Sequence, residues 1–204
     1  MVSGPTQAGG VRSLVGEGLG ALRRGTLVDR LRQNRHVLGF AITELHHPRR
    51  LHAALGAYRD GVARQDALFV RQRVDDITDA MRHAGTSALV VDRLVERGTR
   101  PSIAERFMRR LGTAHERDSD LTGVHRASSQ AMDLHNNDLG IAIGSSHPRL
   151  PDRTGREQAL EGAVLRALAE GRGLVLDAPT APLRASTADE LRAVLRDPSV
   201  ISAP

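Results

Sequence analysis

The sequence predicts an all-α protein: a single helical bundle domain of about six to eight helices, with a polar site between helices and flexible termini. Three observations predict it. Apolar residues recur at helical spacing in one stretch after another, and Pro and Gly punctuate the chain between those stretches. The third is the segment Ala131-Met132-Asp133-Leu134-His135-Asn136-Asn137-Asp138-Leu139-Gly140, which reads as buried helix yet carries five polar side chains. Met132, Leu139 and Ile143 mark its apolar side, and Gly140 and Gly144, one turn apart, let a second helix approach closely. Buried Asp, His and Asn beside such a seam are costly unless each finds a partner, so a satisfied polar network is expected there.

Residues 1–10 read as a flexible start. From Val11, the positions Val11, Leu14, Val15, Leu19 and Leu22 follow a helical stripe, but Gly16, Gly18 and Gly20 each cost about 1 kcal/mol relative to alanine. A loosely docked tail is therefore expected ahead of a membrane-surface helix. Leu27 to Leu45 is the next helix, closed by His46-His47-Pro48, and another runs from that proline through Leu51, Leu55, Tyr58 and Val62 towards Val70. His46, His47 and His52 form a polar helix end, because adjacent helical residues point about 100° apart and do not share one ion easily.

From Asp75, the residues Ile77, Met81, Ala84, Leu89, Val91 and Leu94 extend a helix to about Glu96, with Gly98 and Pro101 marking its stop and the next start. Pro101 and Glu105 open a helix that carries Phe107, Met108 and Leu111 and delivers His115 and Glu116 near its end. After a loop around Gly123 comes the long helix of Asp133 to Asn137, fraying beyond Gly144. Arg156 to Glu170 is a further helix, stopped by Gly171 and Gly173. Leu174-Val175-Leu176 is a short extended piece or a core anchor. Thr187 with Glu190 forms a capping box for a last helix through Leu191 and Leu195.

Composition narrows the function classes. Aromatic residues make up only 2% of the chain, which argues against single-stranded nucleic-acid binding on stacking platforms, so no stable nucleic-acid complex is expected. The net charge of +5 comes from arginine alone, with no lysine, and residues 1–74 hold 12 Arg against 5 acids. Such a basic segment suits an anionic surface, but the plainer reading is favoured, that Arg is used wherever Lys would serve, since charge balance speaks to solubility and not to function. The absence of cysteine excludes disulfides and thiolate metal sites. No signal peptide or transmembrane run is legible, so a protein made in the cytoplasm is expected, acting at a membrane surface or leaving by a non-classical route.

Candidate site residues come from three helices. Asp79, Arg82, His83 and Thr86 lie at i, i+3, i+4 and i+7 and share one face, which suits a carboxylate orienting a histidine and an arginine holding phosphate. Taken alone, the same residues would serve as a solvated helix face with one weak Asp–Arg pair. His115 and Glu116 come from the next helix, followed by Asp118 and Asp120. On the long helix Asp133, Asn136 and Asn137 cluster on the wheel, whereas His135 points nearly opposite to Asp133. His135 and Asn136 are expected to approach the pocket, with Asp133 and Asn137 orienting neighbouring groups.

The run Met132-Asp133-Leu134-His135-Asn136-Asn137-Asp138-Leu139-Gly140 resembles the L-H-N-N-x-x-G segment of Wnt signalling proteins, and more closely the D-L-H-N-N-x-x-G signature of their bacterial relatives. Two further blocks of those relatives stand in the same order, Asp79-Ala80-Met81-Arg82-His83-Ala84 and Ala114-His115-Glu116. The chain departs from the pattern at Thr113, where relatives often carry an acid, and in lacking the cysteines of animal Wnt proteins. The resemblance implies membership of a helical superfamily that works on lipid head groups and lipid-linked saccharides, often as toxins. It implies a Wnt-like catalytic core over residues 75–178, with a basic N-terminal segment (1–26), accessory helices (27–74) and a C-terminal helix and tail (179–204).

The residue types support a hydrolase or phosphotransferase acting at phosphorus, and the resemblance implies the substrate: the phosphate of a lipid head group or polyprenyl-linked cell-wall precursor. His83, His115, Glu116, His135 and Asn136 are the catalytic candidates, Arg82 binds phosphate, and Asp79, Asp133 and Asn137 orient. The types also leave open a divalent metal ion, with His83, Glu116 and His135 as candidate ligands. The expected partner is a lipid at a membrane surface, and an immunity protein if the chain acts as a toxin. A non-catalytic lipid-binding or signalling module and a nuclease are the alternatives.

Overall fold

A computed structural model describes residues 34–71, 73–118 and 123–201. The expected stripe from Val11, and the start of the helix placed at Leu27, lie outside the described residues. Among those described there are seven α-helices: α1 (Arg35–Thr43), α2 (Pro48–Leu68), α3 (Ile77–Glu96), α4 (Pro101–Arg117), α5 (Gly123–Ser146), α6 (Arg153–Ala169) and α7 (Ala188–Val194). A two-residue antiparallel pair, β1 (Leu174–Val175) and β2 (Arg184–Ala185), and a 3-10 turn at Pro198–Ile201 complete the order. The protein is an all-α bundle, as its periodicity predicts.

Local chemistry sets most boundaries. Pro48 and Pro101 stand at the first turns of α2 and α4, where a missing N–H costs nothing. The Asp76 side chain accepts from Thr78 N at 2.7 Å and so caps α3. Thr187 and Glu190 cap α7 reciprocally, as the spacing predicts. Gly171, at φ 77°, ends α6 in the left-handed conformation that glycine adopts without strain. Leu174-Val175-Leu176 is both of the things it could have been: β1 is extended, and Val175 and Leu176 are buried.

Helix α3 is the hub. Sixteen of its 20 residues are buried, so no side of it is free to face water along its whole length. It packs against α2, α4, α5, α6, α7 and β1, most extensively against α5. Ile77, Met81, Ala84, Leu89, Val91 and Leu94 enter one core with Leu160, Val164, Leu168 and Leu191. At the C-terminal half of α3, Asp92 is fully buried and pairs with Arg149 and with Arg156, the latter at 3.1 Å, while Arg93 pairs with Glu157. That ion network ties α3 to α6 and leaves the N-terminal half of α3 to carry the site. No helix among those described is long and apolar enough to cross a membrane.

Candidate functional site

The close approach of α3 and α5 creates the site. Gly140 and Gly144 of α5 lie against the backbone carbonyls of Ala84 and Ala88, where any Cβ would overlap the oxygen. One turn further towards the N-terminus of each helix, the residues that face each other across this seam are polar. Asp79 and His83 come from α3, Asp133 and Asn137 from α5, and α4 brings His115 and Glu116 over them.

His83 Nε2 stands 3.2 Å from Asp133 Oδ1 and 3.5 Å from Asp79 Oδ1. Arg82, partly exposed, contacts the Asp79 carboxylate and lies 3.4 Å from His83 Nε2. The His115 ring centre is 6.2 Å from that of His83. Glu116 and Asp133 share a side-chain hydrogen bond. Ser87 donates to Asn137 Oδ1 at 2.8 Å, and Asn137 also bonds His83, which fixes the ring. The backbone N–H of Asp75 donates to Asp79 Oδ2 at 2.7 Å, and Asp75, held at φ 67°, is itself gripped by Ser129 and His125, each at 2.7 Å.

Burial governs the protonation states. It lowers His83 to about 3, assisted by the Arg82 charge and by His115. It also lowers His115, again assisted by Arg82. Burial raises Asp133 to about 9, reinforced by the Asp79 and Glu116 charges, and raises Glu116 to about 7. Asp79 is raised as well, with Arg82 pulling the other way. Near neutral pH the site therefore holds neutral imidazoles beside an Asp133 carboxyl that retains its proton, a separation of the kind that sets apart bases and acids.

An apolar cavity of about 310 Å³ opens onto this cluster between α1, α2, α3 and α4. Phe40, Leu51, Ala54, Val90, Met108 and Leu111 form its walls, and Arg82, His83, His115 and Asn137 line its polar end. Phe40 packs edge-on against Phe107 at 5.0 Å, which fastens α1 to α4 along one wall.

Of the residues singled out by sequence, Asp79, Arg82, His83, His115, Glu116, Asp133 and Asn137 meet here. His135 and Asn136 do not. His135 is exposed and bonds the Arg172 carbonyl at 2.9 Å, while Asn136 accepts from Leu174 N and donates to Leu174 O, pinning β1. The expected division of the long helix is thus reversed. Its cause is geometric: Asp133 and Asn137 stand seven residues before Gly140 and Gly144, on the stripe that faces α3, and His135 lies off that stripe. His135 is for the same reason not a metal-ligand candidate. Asp118 is not a substitute acid either, because its carboxylate accepts from His36 N and Val37 N at the start of α1; Asp120 lies outside the described residues. Asp75, Ser87, His125 and Ser129 were not read as site residues from sequence, and only their places one to two turns from Asp79, Asn137 and Asp133 could have drawn attention to them.

Fold and site define a helical-bundle protein with a buried histidine–carboxyl cluster at the end of an apolar cavity. The chain belongs to the family described as domain of unknown function (DUF6973), which matches residues 41–172 and so takes in all three site-bearing helices. No curated protein and no solved structure matches it.

Proposed function

We propose that the protein hydrolyses a phosphoric ester or anhydride of a lipid head group or a polyprenyl-linked saccharide precursor. The observation that carries this reading is the junction of the two environments: an apolar cavity of about 310 Å³ ends on Arg82, His83, His115 and Asn137. A hydrocarbon chain in the cavity places the attached phosphate against a guanidinium and two imidazoles. Arg82 holds the phosphate oxygens. His115, neutral because burial lowers it, takes a proton from the water whose oxygen attacks phosphorus. Glu116, which keeps its proton to about 7, gives that proton to the leaving oxygen as the P–O bond breaks.

The three blocks resembling bacterial relatives of Wnt proteins support the same substrate class, and all three contribute side chains to the cluster. In an effector setting such a reaction would injure a membrane or stop envelope synthesis. The apolar cavity wall disfavours the nuclease alternative, since a nucleic-acid strand offers charge and stacking surfaces there instead of hydrocarbon. The test is release of phosphate or a phosphorylated head group from a panel of phospholipids and polyprenyl phosphates, by the full chain and by Arg82→Ala. Turnover that Arg82→Ala loses by a factor of about 100 or more supports the reading. Lipid binding without turnover across the panel overturns it in favour of a lipid-binding module.

A further inference from the structure

The geometry points to a divalent cation site formed by Asp79 Oδ1, His83 Nε2 and Asp133 Oδ1, with Zn²⁺ or Mn²⁺ as its occupant. This deepens the hydrolase reading and rests on it for its use, though binding of the ion is measured without it.

Three features carry the inference. The first is donor spacing. One ligand atom from each of Asp79, His83 and Asp133 lies within 4.8 Å of the others, and two of the separations are 3.2 and 3.5 Å. Ligands roughly 2.1 Å from a tetrahedral ion stand about 3.4 Å from one another, so the cluster needs little adjustment to close around one. Two of the donors stand one helical turn apart on α3, and the third comes from the helix in closest contact with it.

The second feature is unmet polar demand. Asp79 Oδ1 has the Arg82 guanidinium as its ion-pair partner, whereas Asp133 Oδ1, another of the three donor atoms, and Glu116 Oε1 beside it are buried without a hydrogen-bond partner. Their residues are 2%, 6% and 5% exposed. Buried oxygens of this kind ordinarily find partners, and the two left over, on α5 and α4 beside one imidazole, are a demand that a bound cation would meet. Arg82 is a cation in contact with the cluster; it pairs with Asp79 and lies 3.4 Å from His83 Nε2, and among the described residues it forms no ion pair with Asp133.

The third is rigidity supplied from behind. Asp79 Oδ2 is occupied by the Asp75 N–H, which turns Oδ1 inward, and His83 is oriented by the Asn137 that Ser87 holds. Such outer partners fix the direction of ligands at metal centres. Two carboxylate oxygens and one imidazole suit Zn²⁺ or Mn²⁺ better than Ca²⁺, which prefers six to eight oxygens, or a thiolate-loving ion. Glu116 stays outside this ligand set, held beside Asp133 by their shared hydrogen bond.

The experiment is calorimetric titration of the full chain, stripped by chelator, with ZnCl₂ or MnCl₂ alone. One ion per chain is expected. Asp133→Asn and His83→Gln are expected to weaken binding by more than the roughly 10–100-fold typical of an outer-shell change, and His135→Ala to leave it unchanged. To stay independent of whether the variants fold, ENDOR spectra of the Mn²⁺-loaded wild-type chain should show coupling to a single imidazole nitrogen. No binding, binding that both variants retain, or a Mn²⁺ signal without nitrogen coupling overturns the site. Stoichiometric binding with no lipid turnover upholds the ion and removes the hydrolase reading. Turnover by a chain that binds no ion does the reverse.

Discussion

Gly140 on α5 and Ala84 on α3 touch backbone to backbone, with the Ala84 carbonyl filling the space that a side chain on Gly140 would need. Neither helix can yield alone, because α3 is held on all sides by the rest of the bundle. Gly140→Ala is therefore expected to destabilise the fold by about 3 kcal/mol or more, at the upper end of overpacking costs. Gly39→Ala and Gly56→Ala, where a Cβ meets nothing within 4 Å, are expected to be neutral or stabilising by about 0.5–1 kcal/mol. Urea denaturation midpoints of the three variants check this; a Gly140→Ala midpoint equal to the parent's would mean that the helices are not this close.

The placement of His135 yields a control that its sequence context obscures. It lies outside the cluster and makes its bond to the Arg172 carbonyl, so His135→Ala is expected to keep lipid hydrolysis within about twofold. His115→Ala, which removes the proposed base, is expected to lose a factor of about 100 to 10,000. Rates of both variants on the same lipid, with circular dichroism to confirm folding, settle the contrast. Comparable losses in the two would place the chemistry elsewhere.

The same histidine shows how far the sequence could be read. Helix ends were legible wherever a covalent or capping rule acts, as at Pro48, Pro101, Gly171 and the Thr187–Glu190 pair. The α3 face of Asp79, Arg82 and His83 was legible too, since i, i+3 and i+4 positions must share a side. On α5 a helical wheel gives the angles between residues but not which arc meets the partner helix. The glycine pair at 140 and 144 marks that arc, and extending it back by seven residues gives Asn137 and Asp133. Contacts such as Ser87 with Asn137, 50 positions apart, depend on the assembled bundle and leave no local trace.

Stability of the chelated protein should fall as pH rises from 7 to 9. The sign follows from the carboxyls: folded Asp133 keeps its proton to about 9 and Glu116 to about 7, whereas both lose it near 4 when unfolded. The folded state thus binds more protons in that window, and raising pH draws the equilibrium towards unfolding. His83 acts oppositely but lower down, between its folded value of about 3 and its unfolded value of 6.5, where rising pH favours the fold. Thermal melts across pH 5–9 measure the slope. A rise in melting temperature between pH 7 and 9, in the presence of chelator, would contradict the buried carboxyls.

The cavity gives the lipid reading its most selective test, because chain length and phosphate chemistry are recognised at opposite ends. Leu111, half-buried on α4, lines the apolar wall. Replacing it with Trp fills space that a hydrocarbon chain would occupy and leaves Arg82, His83 and His115 in place. Leu111→Trp is expected to lower kcat/KM for a long-chain phospholipid or polyprenyl phosphate by about tenfold or more, a cost of about 1.4 kcal/mol. Turnover of a water-soluble ester with no chain to seat should stay within about twofold of the parent's. Equal losses on both substrates would mean that the indole disturbs the cluster itself, and no loss on either would mean that the hydrocarbon lies somewhere other than between α1, α2, α3 and α4.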